Sequence, residues 1–154
     1  ASVGRHQEAI KLLDALPPEL QSDLSLVEQK AFIIQNIPSP ETAETKERLA
    51  WRAQQREKAH PIWLEVAKNG PERPMAWLNL AENALLDGSG PALAKAYLTK
   101  AVADRPALAA KGRVRQLKDK IDAALKPDAV IPEINLGGAT DSADAGSADV
   151  GVQP

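Results

Sequence analysis

The side chains able to do chemistry are few, and their spacing sets them to no common task. The two histidines, His6 and His60, are far apart in the chain, and neither belongs to a His-x3-His or His-Glu-x2-His spacing that would bring two ligands to one helix face. Cysteine is absent, which removes disulfides, thiol nucleophiles and Cys-ligated metals. Ser and Thr fall mostly in turns and near the C-terminus, with no Gly-x-Ser-x-Gly elbow to expose a nucleophile. Gly88-Ser89-Gly90 lacks the Lys that a phosphate-cradling loop carries, and Glu41 and Glu44 read as exposed helix charge. The expectation is therefore no catalytic residue, no metal and no cofactor.

One charged group has a regular spacing. Within the basic run Lys46, Arg48, Arg52, Arg56 and Lys58, the three arginines recur every fourth residue and so share one helix face, with Trp51 beside Arg52. Such a face can grip an acidic peptide or a phosphate backbone. It is equally a solvated surface whose charge is tempered by Glu44, Glu47 and Glu57, and that plainer reading is preferred. With a formal net charge of −2, no global field draws the chain to nucleic acid, which is the weaker partner class. Arg48, Arg52, Arg56 and Trp51 stand as a candidate basic contact face.

The elements that must hold these residues are helices. Apolar residues make up 44% of the chain and aromatics only 3%, which favours helix over a sandwich or barrel. Ala9, Leu12, Leu13 and Leu16 recur at helical spacing before Pro17-Pro18 ends the block. A second helix is predicted from a Ser22 cap to Gln35, with Leu24, Val27, Ala31 and Ile34 as its stripe. Residues 41–68 read as helix, opened by Glu41 and Glu44, with a break expected near His60-Pro61. Pro74 opens a helix through Leu86, Asp87–Gly90 turns, and Pro91 starts a helix through Ala103. A last helix, Ala107 to Leu125, carries Val114, Leu117, Ile121 and Leu125 on one face, suiting a cap on an exposed core.

After Lys126 the composition shifts to Gly, Ala, Ser, Asp and Pro, with five acids and no Lys or Arg. Two regions are expected: a helical domain over 1–126 and a flexible acidic tail over 127–154, carrying one apolar segment, Val130–Leu136, able to dock transiently into a groove. No apolar run approaches the ~20 residues of a membrane span, so no membrane insertion is expected. Cytoplasm and bacterial periplasm both suit a chain without Cys.

Residues 74–107 resemble a tetratricopeptide (TPR) repeat. Trp77, Leu80 and Ala81 fill the large, Leu and small slots of a first helix; Ala94, Leu98, Ala101 and Pro106 fill those of the second. Ala84 departs from the pattern, standing where a bulky residue is usual, and the turn needs one extra residue. Ala81 and Ala94 would let the two helices approach within ~8–10 Å, with Trp77 and Leu98 filling the space beside them. Weaker echoes lie at Ala9, Leu13 and Leu16, at Val27, Ala31 and Ile34, and at Ala59, Trp63 and Val66 followed by Pro71.

The resemblance implies an all-α fold of antiparallel helix hairpins stacked as a short α-solenoid. Because the first echo matches a second helix, the chain is expected to be the C-terminal part of a longer solenoid. An open N-terminal face would then be available for homo-oligomer formation. It also implies a groove lined by Met75, Leu78, Glu82, Leu85 and Leu86, apolar with one acid and without a Lys/Asn carboxylate clamp. The expected role is a protein–protein interaction module, a scaffold, adaptor or assembly factor of bacterial envelope or secretion machinery, taking a peptide or helix. The alternative is the non-catalytic helical-repeat region of a larger enzyme whose catalytic domain lies upstream.

Overall fold

The computed structural model describes residues 2–137, and among them the regular structure is entirely helical. The helices are α1 (Ser2–Asp14), the single turn α2 (Pro18–Gln21), α3 (Leu24–Gln35), α4 (Thr45–Asn69), α5 (Pro74–Leu86), α6 (Pro91–Val102) and α7 (Gly112–Ala124). Packing proceeds largely between neighbours in the chain: α3 on α4, α4 on α5, α5 on α6 and α6 on α7, while α1 rests on α3.

Local chemistry accounts for most boundaries. Pro74 and Pro91 open α5 and α6, where their missing N–H costs nothing, and the turn between them needs Gly88 and Gly90 at φ 81° and 106°. The cap of α3 is Asp23 rather than the expected Ser22: its Oδ1 accepts from the Ser25 N–H at 2.8 Å, while Ser22 closes the α2 turn. Glu41 lies in a turn ahead of α4, whose first turn is tied by the Glu44 N–H donating to Glu47 at 3.0 Å.

The expected break at His60-Pro61 does not occur, and α4 runs unbroken through Pro61. Pro61 is on the exposed face of the helix, while Ala59 and Trp63 on either side are fully buried. An interior Pro costs about 3 kcal/mol, comparable to what a buried Trp supplies (about 3–5 kcal/mol on truncation). The expected last helix is also divided. Pro106–Ala110 forms a 3₁₀ turn before α7 begins at Gly112.

The core is one cluster running from Val27 and Ala31 through Trp63 and Val66 to Leu80, Leu98 and Ile121. Trp77, Leu80, Ala81, Ala94, Leu98 and Ala101 are all buried in it, whereas Pro106 is exposed at the start of the 3₁₀ turn. Trp77 meets Tyr97 with ring centroids 6.1 Å apart, and burial pushes the Tyr97 phenol above its ordinary pKa.

The boundary expected at Lys126 is crossed by packing. The chain beyond α7 is non-helical, yet Ile134 and Leu136 lie against the core, beside Ala67, Pro71, Trp77 and Lys100. The rest of the expected tail, 138–154, lies outside the described residues.

Candidate functional site

Two surfaces that the sequence keeps apart meet in one groove of about 550 Å³. One wall is the end of α3 and the loop after it, with Phe32, Asn36, Ile37, Pro38 and Ser39. Arg52 and Arg56 come from α4, Glu82 and Leu86 from α5, and Arg113 from α7; Gln35, Asn79 and Asn83 complete the lining.

The floor is an amide network. Gln35 Oε1 accepts from Trp63 Nε1 at 2.9 Å and from Asn83 Nδ2 at 2.9 Å, while Gln35 Nε2 donates to Asn79 Oδ1 at 3.1 Å. Asn79 Nδ2 in turn donates to the Met75 carbonyl at 2.8 Å. Three helices are thereby tied at one level: α3 through Gln35, α4 through Trp63, and α5 through its two asparagines. Among the described residues one buried side-chain polar atom has no partner, Asn83 Oδ1, on a residue only 2% exposed. An acceptor left in this way costs about 1–3 kcal/mol.

The rim is charged and partly neutralised. Arg56 Nε donates to Asp87 Oδ1 at 2.8 Å, and Arg113 bonds Glu82 at 2.5 Å. Arg52, one turn before Arg56, makes no ion pair among the described residues and stands exposed. Apolar surface flanks the charges: Phe32 is 50% exposed and Leu86 59%.

The residues singled out from the sequence are thus divided. Of the expected groove residues, Glu82 and Leu86 line this groove. Leu78 is 6% exposed and belongs to the core, so it offers no binding surface. Leu85 lies in the adjoining cleft between α5 and α7, and Met75 is exposed elsewhere on α5. Of the basic face, Arg52 and Arg56 reach the groove, while Arg48 turns its Nε to the Ala43 carbonyl at 2.7 Å. Trp51 is half-buried, and its Nε1 donates to the Ile37 carbonyl at 2.8 Å, pinning the loop that forms one wall.

Sequence reasoning missed Gln35, Asn79, Asn83 and Arg113. The available signal was Asn79 and Asn83, four residues apart on the most apolar stretch of the chain and hence on one face of its helix. Among the described residues no cluster of His, Asp and Glu is grouped to hold a metal, and no helix is long and apolar enough to cross a membrane. No family model, curated protein or solved structure matches the chain.

Proposed function

We propose that this chain is a protein–protein interaction module that binds rather than catalyses, holding a partner segment in the groove between α3, α4, α5 and α7. The observation that carries the reading is the convergence of exposed apolar surface, at Phe32 and Leu86, with the uncommitted cation Arg52 around one concavity of about 550 Å³. A preformed concavity that combines exposed apolar side chains with a few placed polar groups is characteristic of binding sites. The amide floor and the Trp51 anchor hold the walls in place before any partner arrives, which lowers the ordering cost of binding.

A TPR-like stacking is part of the same proposal. It is supported by the burial of Trp77, Leu80, Ala81, Ala94, Leu98 and Ala101 in the α5–α6 hairpin, and by the serial packing of α3 to α7. In this reading the groove is a surface for capture and assembly, the role of a scaffold or adaptor.

The test is a photo-reactive phenylalanine at position 32 of the full chain, expressed in its own cells. A protein adduct is expected at that position and should disappear when Leu86→Glu is added, while a probe at exposed Arg115 gives none. No adduct at position 32, or adducts indifferent to Leu86→Glu, would refute the groove as the working surface.

A further inference from the structure

Resting on that proposed role, we infer that the groove's occupant is an extended peptide segment carrying a carboxylate beside an apolar side chain, not an amphipathic helix. Three observations converge on this chemistry.

The first is charge. Of the arginines at the rim, Arg56 is committed to Asp87 at 2.8 Å and Arg113 to Glu82, so the two pairs neutralise themselves. Arg52 remains without an ion pair among the described residues and faces the same concavity. A guanidinium binds a carboxylate through two parallel N–H donors, the geometry that Arg serves better than Lys. The site is complementary to one negative charge, and an added cation is repelled.

The second is the floor. Asn83 is 2% exposed, its Nδ2 is held by Gln35, and its Oδ1 has no donor. Asn83 lines the groove, and its shielded Oδ1 gains a donor when a ligand N–H reaches the floor and the amide turns outward to meet it. An extended main chain carries N–H groups with no internal partner, whereas a helix has already spent all but its first four on its own carbonyls. The orphan acceptor therefore favours backbone with free N–H groups along its length.

The third is the flanking apolar surface. Phe32 on α3 and Leu86 on α5 both line the groove beside the amide floor, and both are more than a third exposed. Successive side chains of an extended segment point to opposite sides. One can thus reach Arg52 while its neighbour packs against Phe32 or Leu86.

The experiment is a selection of random linear dodecapeptides on the immobilised full chain, run in parallel with a library constrained to amphipathic helices. Linear binders are expected, enriched in Asp or Glu next to Leu, Ile, Phe or Val. The synthetic consensus peptide should lose about tenfold or more in affinity against Arg52→Glu, and a smaller but measurable part of it against Arg52→Lys, which keeps the charge and loses the two-donor fork. Methylating single main-chain nitrogens of that peptide should abolish binding at one position and leave most others unaffected. Binders only from the helical library, binders without acids, or indifference to Arg52→Glu or to every N-methylation would each overturn the inference. If such binders are still blocked by Leu86→Glu, the groove keeps its proposed role and only the ligand chemistry falls. No binder from either library, together with no adduct at position 32, refutes both.

Discussion

Helices α1 and α5 are each 13 residues long, and both carry apolar residues at helical spacing. They differ almost completely in what they bury. α5 places eight residues in the interior, including Trp77, Leu80 and Ala81, whereas no residue from Gly4 to Asp14 is buried. α5 has α4, α6 and α7 around it; α1 packs mainly on α3, and its Leu12 is 65% exposed. An apolar stripe states which face of a helix can be buried. Only a neighbour decides whether it is, and stability follows the neighbour.

The widest separation of the two regions is expected from core truncation. Trp63→Ala removes a fully buried ring from α4 and the 2.9 Å bond that anchors Gln35. It should cost about 3–5 kcal/mol in a denaturant titration. Leu13→Ala, on half-buried surface of α1, should cost less than about 1 kcal/mol. Amide exchange should show the same contrast, with α1 exchanging well before α5. Equal costs at Trp63 and Leu13 would erase the distinction.

A second measurement bears on the α5–α6 connection. Gly90 stands at φ 106° and ψ 160°, a region reserved almost wholly for glycine. Gly90→Ala should destabilise by about 1–3 kcal/mol, although a Cβ there would touch nothing. Gly4→Ala, in ordinary helical backbone of α1, should stabilise slightly. Thermal melts of the two variants moving in the same direction would contradict the assignment.

A smaller effect is expected from deletion after Lys126. The sequence reading makes Val130–Leu136 a competitor for the binding groove, so that truncation raises ligand affinity. Ile134 and Leu136 instead rest beside Trp77, Pro71 and Lys100, and share no lining residue with the groove at Arg52. Truncation should therefore lower stability by about 1–2 kcal/mol, from two half-buried side chains, and leave groove affinity unchanged. Calorimetric melts and the consensus-peptide affinity separate the two outcomes.

What was legible in the residues follows how local its cause is. The α5 boundaries at Pro74 and Leu86, and the turn through Gly88 and Gly90, are set by chain chemistry within a few residues. The buried face of α7, at Val114, Leu117 and Ile121, follows from its period. The continuity of α4 through Pro61 was not legible, since it depends on Trp63 finding a cavity built by other helices. The groove was half legible. Arg52, Arg56, Glu82 and Leu86 stand out in sequence, but the amide floor joins Gln35 to Asn79 and Asn83 across 44 and 48 residues. No periodicity announces a partner at that separation.

The smallest expected effect concerns the charges that tie α7 to the α5–α6 hairpin. Asp122 accepts from Lys118 at 2.7 Å and from Lys95, on α6, at 3.0 Å. The Lys118 bond first, and the Lys95 bond second, hold its carboxyl below the ordinary value, and Asp122 in return raises the Lys118 ammonium. A carboxyl depressed in the fold stabilises above its unfolded pKa of about 3.9, and that stability is lost as pH falls through the folded value. The raised ammonium works in the opposite sense, its contribution disappearing as pH rises past the ordinary lysine range. Asp122→Asn should therefore lower stability at neutral pH by less than about 1 kcal/mol, because the group is largely exposed. The deficit should shrink in high salt and disappear as pH falls through the native carboxyl's lowered pKa, where that carboxyl is itself protonated. A deficit that persists in acid would mean that Asp122 acts through packing. α7 would still remain docked in either case, because Val114, Leu117 and Ile121 are buried, a reserve that the described part of α1 lacks.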